Sequence, residues 1–314
     1  MIKSGKGAMA SEGSTRAVLT ALSANLAIGV AKFVAAAITG SASMLAEGVH
    51  SVADSANQVL LLIGGRRAKR PASVLHPFGY ARERYVYAFL VAIILFSLGG
   101  LYAVYEGYHK IKDPHPLESP LVAVIVLVFA AALEGYALRT AVGEANRTRG
   151  KRDWLAFIRR TRNPELPVIL LEDSGALFGL LFALVGVGLS VLTGNGVYDG
   201  IATLCIGLLL VFVAVLLATE TKSLIIGESA VPEQVAAIES ALLASPGVDR
   251  VIHLRTMHLG PDELLLAAKI AIGAHDEGRE IAATIDDAEA RVRTAVPSAK
   301  VIYLEPDIYH PDPV

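Results

Sequence analysis

Long apolar runs separated by short, often basic links fill the chain to about residue 222; beyond that the runs shorten and polar residues mix in. Runs near the roughly 20 apolar residues that cross a bilayer lie at 15–38, 41–64, 85–108, 119–141, 167–191 and 199–220, which predicts six transmembrane helices. The first is expected to be a retained helix rather than a signal peptide. It is long, contains Asn25 and Lys32, and shows no clear processing site. The remainder has a different rhythm. Pro232 opens a predicted amphipathic helix through Leu243, Ser245-Pro246-Gly247 ends it, and strands are expected at 251–259, 264–272 and 300–305 with a helix at 280–295. The order αββαβ suggests a ferredoxin-like α+β sandwich. The expected architecture is therefore a polytopic α-helical membrane protein: a segment at 1–14, six transmembrane helices within 15–222, and a ferredoxin-like cytosolic domain at 223–314.

Polar side chains inside such runs are costly and mark pathways or sites. In the second run Ser43, Glu47, His50, Asp54, Asn57 and Leu61 follow spacings of three and four, so they share one helix face. His50 and Asp54, at i and i+4, offer an imidazole nitrogen and a carboxylate one turn apart, the way a helix presents two ligands to one metal ion. The competing reading is a polar stripe that hydrogen-bonds neighbouring helices; two carboxylates and a histidine at mid-span favour a site. The fifth run carries Glu172 and Asp173, at a depth an antiparallel neighbour of His50 and Asp54 would match. Adjacent residues diverge by about 100° around a helix, so at most one of the two ligates directly. Gly175 and Gly179 form a G-x-x-x-G face suited to close helix packing. Asn25 and Glu134 are second-tier pathway candidates with Asn57, Lys32 is expected to snorkel outward, and Asp199 to start the sixth helix, where its charge meets the positive end of the dipole.

Composition and charge sharpen this picture. Only 18% of the 314 residues are charged and 54% are hydrophobic, against about a quarter charged in soluble domains, which excludes a secreted or purely cytosolic globule. The net charge of −2 conceals an asymmetry: residues 228–314 hold 15 acids and 7 bases, a net of −8, leaving +6 for the rest. Six bases lie in the link at 65–84 and seven between Arg147 and Arg162, so the positive-inside bias places both links and both termini in the cytoplasm. The single cysteine, Cys205, sits in an apolar run and excludes a disulfide framework or a thiolate zinc cluster within one chain.

The stretch SASMLAEGVHSVADSANQVLLLIG at 41–64, with HPFGYARERY, EDSGALFG and HLRTMHLGPDELLLAAK downstream, resembles the cation diffusion facilitator family of divalent metal transporters over nearly the whole chain. It looks closest to the branch holding the mitochondrial zinc transporters of animals and their bacterial relatives. The resemblance implies a homodimer, paired through the C-terminal domain, that alternates between inward-open and outward-open states and exports a divalent ion in exchange for protons. It implies a central site of His50, Asp54 and Asp173. The family's usual fourth ligand, one turn before the span-five Asp, falls here on Ile169, so Glu172, Glu47 or water would complete the sphere. The accessory positions of bacterial relatives correspond to Ser73, His76 and Tyr80 in the loop, of which only His76 is a usual ligand, and to Ile252, Ala268, Tyr303 and Glu305 in the tail. Zinc sensing by the tail in that form is not expected, and His253 and His258, an odd number apart, are read as strand residues on opposite faces.

One nitrogen with several carboxylate oxygens suits Zn2+, Mn2+, Fe2+ or Co2+ and not Cu+; the imidazole favours zinc. Metal binding needs deprotonated ligands and releases protons, which supplies the coupling to H+. The expectation is a Zn2+/H+ antiporter with no resident cofactor, in contact with lipid and not nucleic acid, in the bacterial inner membrane. An intramembrane metalloenzyme is disfavoured by the lack of H-E-x-x-H or a multiple-His cluster. A metal-regulated scaffold would bind metal tightly without flux.

Overall fold

The computed structural model describes residues 25–150, 153–274 and 277–309. The proposed segment 1–14, the start of the first apolar run at 15–24, and Lys151 and Arg152 of the second basic link lie outside the described residues. In chain order the elements are α1 (Asn25–Thr39), α2 (Ala42–Arg67), α3 (Glu83–Lys112), α4 (Pro120–Arg149), α5 (Trp154–Arg160), α6 (Glu165–Thr193), α7 (Val197–Ile226), α8 (Pro232–Leu243), β1 (Arg250–Gly260), β2 (Glu263–Ala271), α9 (Gly278–Ala295) and β3 (Ala299–Asp307). The chain divides into two compact units. One holds the chain up to Gly64 with Tyr87–Trp154 and Glu165–Thr219; the other holds Gly65–Val86, Leu155–Pro164 and the chain from Glu220.

The helical unit makes this a multi-pass membrane protein. Among the described residues four helices, α3, α4, α6 and α7, are long and apolar enough to cross a membrane. The 26-residue α2 is long enough, but its polar face dilutes its apolar content, and the described part of α1 is a shorter apolar helix of 15 residues. The core joins Leu95 of α3, Leu127 of α4, Leu180 of α6 and Leu210 of α7. α3 and α7 approach backbone to backbone: a Cβ on Gly107 would lie 2.6 Å from the amide nitrogen of Leu204 and 2.9 Å from the carbonyl of Gly200. Small residues permit such contact between membrane helices. At the other end of the hydrogen-bonding scale, α3 contains a π-helical stretch, Leu95–Leu101, with Gly99 and Gly100 buried in it.

The start of α2 is held by a residue from a distant helix. Ser41 caps it, its Oγ accepting from the Met44 amide at 3.2 Å. The Asp199 carboxylate accepts from the Ala42 amide at 2.7 Å, from Ser41 Oγ at 2.9 Å and from the Ser43 hydroxyl. Asp199 does lie in the first turn of α7, as expected, but its fully buried charge also serves the positive end of the α2 dipole. α1 ends at Gly40, whose φ of 65° is the left-handed conformation glycine adopts freely.

The second unit is a small sheet domain of order α8-β1-β2-α9-β3. β1 and β2 pair antiparallel, β2 and β3 parallel, giving the strand order β1-β2-β3. Along β2 burial alternates, so Leu264, Leu266, Ala268 and Ile270 are buried, the first three in a core shared with Ile238 and Leu242 of α8 and Ala288 and Val292 of α9. Glu277 and Glu280 form a reciprocal capping box at the start of α9. Within this unit Arg162 is ion-paired with Glu228 and donates to the Ser229 carbonyl at 3.1 Å.

Candidate metal centre

α2 positions the centre because its 3.6-residue period stacks Ser43, Glu47, His50, Asp54 and Asn57 on one side. Of these, Ser43, Glu47, His50 and Asn57 are buried, and the Asp54 side chain is 15% exposed. His50 Nδ1 stands 3.5 Å from Asp54 Oδ1. Neither imidazole nitrogen, nor Asp54 Oδ1, has a hydrogen-bond partner among the described residues. A buried polar group left unmatched costs about 1–3 kcal/mol, so two such groups one turn apart form a place where a cation or water is favoured. The π-helical stretch of α3 lies against the ring: a Cβ on Gly99 would sit 3.8 Å from His50 Nδ1. π-turns of this kind recur at functional sites.

The two acids of α6 go to different places. Glu172 is buried, and its Oε1 accepts from Asn57 Nδ2 at 2.6 Å, linking α6 to the polar face of α2. Asp173, the next residue, is half-buried. No three His, Cys, Asp or Glu side chains among the described residues sit close enough to hold one ion. In this conformation His50 and Asp54 are together, and Asp173 is not drawn into the same coordination sphere.

Lys32 departs from the expectation that it snorkels outward. Its side chain is fully buried, with Nζ donating to Glu47 Oε2 at 3.0 Å and to Ser51 Oγ at 2.8 Å. The reason is the neighbouring stripe: a carboxylate one helix away neutralises the ammonium more effectively than a long reach to the surface. Removing one partner of a buried ion pair typically costs about 3–5 kcal/mol, so the two hold α1 to α2. The other Glu47 oxygen is buried without a hydrogen-bond partner among the described residues and packs where a Cβ on Gly179 would be. The G-x-x-x-G face of α6 thus makes room for a carboxylate rather than for a helix backbone alone. Asn25 is half-buried on α1 and Glu134 half-buried on α4.

The accessory positions carry little. Ser73 Oγ and Tyr80 OH are 3.1 Å apart and hydrogen-bonded, His76 stacks edge-on against the Tyr80 ring, and all this is loop at or near the surface. In the sheet unit Glu305 is paired with Lys269 at 3.3 Å, Tyr303 is exposed, and Ala268 lies opposite Leu304. His253 is exposed and His258 buried, opposite faces as read.

Sequence reasoning missed the partner of Lys32, the role of Ser51 and the reach of Asp199. For Lys32 a signal existed: intramembrane charges pair with one another, and Glu47 on the next helix was the obvious acid.

Among curated relatives, the mitochondrial proton-coupled zinc antiporter of Mus musculus is 33% identical over 242 residues, 76% of this chain and 42% of its own length. Metal tolerance protein C4 of Arabidopsis thaliana is 30% identical over 262 residues, 82% of this chain and 57% of its own. The chain therefore spans less than two thirds of either relative. A solved structure, MamM-CTD, matches 26% of this chain and 100% of its own at 18% identity, with a TM-score of 0.24 that bears no argument. The Cation efflux transmembrane domain matches residues 18–226, well over half the chain. With a polar face of His, Asp and Glu buried among apolar helices and a match of that extent, the chain belongs to the cation efflux family of metal transporters.

Proposed function

We propose that this protein is a Zn2+/H+ antiporter that exports zinc from the cytoplasm by alternating access. The observation that carries the reading is the His50–Asp54 pair: a buried imidazole and a partly buried carboxylate, with polar atoms unmatched among the described residues, on one face of a helix within the membrane unit. The name of the mouse relative, a proton-coupled zinc antiporter, points the same way. His50, Asp54 and Asp173 are the ligands in this reading, with Glu172 or water completing the sphere. Asp173 joins when α6 shifts against α2, which is one half of the transport cycle; Asn25, Asn57 and Glu134 line the path. One imidazole among carboxylates suits zinc better than the oxygen-preferring ions, with Mn2+, Fe2+ or Co2+ as the alternative cargo. Coupling follows from chemistry: ligands must lose protons to bind metal, and imidazole exchanges its proton near neutral pH.

α1, α2, α3, α4, α6 and α7 are the six spans in this reading, both termini face the cytoplasm, and the membrane is the bacterial inner membrane. The sheet unit is a ferredoxin-like domain through which two copies pair. Rocking of helix pairs about the fixed site gives alternating access. The test is zinc flux into liposomes carrying the full-length protein under an imposed pH gradient. His50→Ala and Asp173→Ala should each abolish flux while the protein stays folded by circular dichroism; near-parental flux in either removes the proposed site. Competition with Mn2+, Fe2+ and Co2+ at matched free concentration identifies the cargo.

A further inference from the structure

Lys32 is the one base whose side chain is fully buried among the described residues of the helical unit, and the transport chemistry above makes no use of it. It bridges the two positions that flank His50 on α2: Glu47, three residues before, and Ser51, one after. Glu47 lies on the same face as His50 and one turn away. Its Oε1 is buried, unmatched among the described residues, and housed in the space that Gly179 of α6 leaves open. Taken alone, such a carboxylate is a metal ligand waiting for a cation, because a buried charge demands a partner. The ammonium of Lys32 supplies that partner from within the protein.

We propose that Lys32 is a specificity-determining residue that withholds Glu47 from the transported ion, so that the centre presents His50 with a limited number of carboxylate oxygens. The proposal rests on the reading of His50, Asp54 and Asp173 as the transport site. Its chemical consequence is selectivity. Each added carboxylate oxygen moves a site towards ions that favour oxygen, Mn2+ foremost, and away from zinc, which accepts nitrogen in a small sphere. Lys32 also places a fixed positive charge beside the site, which penalises any ion that depends on a crowded anionic sphere. A divalent ion recruiting Glu47 would have to strand the buried ammonium.

The test measures zinc and manganese uptake by the full-length protein in liposomes, each ion at the same free concentration, and takes the ratio. Lys32→Gln should raise the manganese-to-zinc ratio about tenfold by releasing Glu47. The double variant Lys32→Gln with Glu47→Gln should return the ratio to the parent's. Lys32→Met, which removes the ammonium while keeping a side chain of similar length, should raise the ratio to a similar extent and decides the matter should Lys32→Gln fail to fold. An unchanged ratio in folded Lys32→Gln, a raised ratio that persists in the double variant, or an unchanged ratio in Lys32→Met when it alone folds overturns the proposal. A parent that carries neither ion, or a His50→Ala variant that carries both as well as the parent, overturns the transport-site reading and this proposal with it.

Discussion

In the sheet unit, Leu264, Leu266 and Ile270 point inward while Lys269, on the other face of β2, reaches out to Asp307 at 2.7 Å. In the helical unit the surface is reversed: Leu26, Val30, Phe129 and Phe212 are exposed, while Lys32, Glu47, His50, Asn57 and Asp199 are buried alongside the apolar core. One rule generates both, since each face meets the solvent it resembles, water in one case and hydrocarbon in the other. The difference lies in what a polar side chain signifies. On the sheet unit's surface an ion pair contributes little; inside the helical unit every polar atom must be matched or be held in reserve for a ligand.

Four substitutions sharpen that contrast. The largest effect is expected from His50→Ala, which should cut zinc flux by about 100-fold or more, since even outer-shell changes at metal sites cost about 10–100-fold. A helical unit whose polar face is merely structural would show little change. Next, Leu266→Ala should destabilise the sheet unit by about 3 kcal/mol. Hydrogen exchange should accelerate in β1, β2 and β3 and stay unchanged in α4 and α6; acceleration in both units would show that they do not unfold separately. Gly107→Ala should cost the helical unit about 2 kcal/mol by forcing a methyl group into the α7 backbone, read as a lower midpoint of thermal inactivation in detergent.

The smallest effect concerns His258. Burial holds its imidazole below the usual value of 6.5, against the opposing hydrogen bond to the Gly260 carbonyl. The unfolded chain therefore takes up a proton that the folded ring resists, so stability is full above pH 6.5 and falls as the pH drops below it. His258→Gln should flatten the fall in β1 amide protection as the pH drops below 6.5; an unaltered pH profile would mean that the ring titrates equally in both states.

Much of the architecture was legible because it is local. The αββαβ order follows from periodicity and turn residues, and Pro232 and Leu243 bound α8 as predicted. The stacking of His50 and Asp54 is a property of any helix. What was not legible is the choice of partner across sequence distance. Lys32 and Glu47 are 15 residues apart, Asn57 and Glu172 are 115 apart, and Asp199 reaches Ser41 over 158. Those pairings depend on how helices pack, which no spacing rule encodes. The π-helical stretch of α3 is likewise set by its neighbours. The third ligand of the proposed centre, Asp173, was visible as an intramembrane acid, yet its place in a coordination sphere depends on the position of α6.

Asp199 carries a mechanical consequence. Its carboxylate accepts from the Ala42 amide and the Ser41 and Ser43 hydroxyls, and its own amide donates to the Ser190 hydroxyl at 3.0 Å. To separate the beginnings of α2 and α7, the protein would have to strand an anion and several donors in a dry interior at once. That corner therefore behaves as a rivet. Any movement that exposes His50 must turn about it, and the travel available to α2 grows with distance from Ser41.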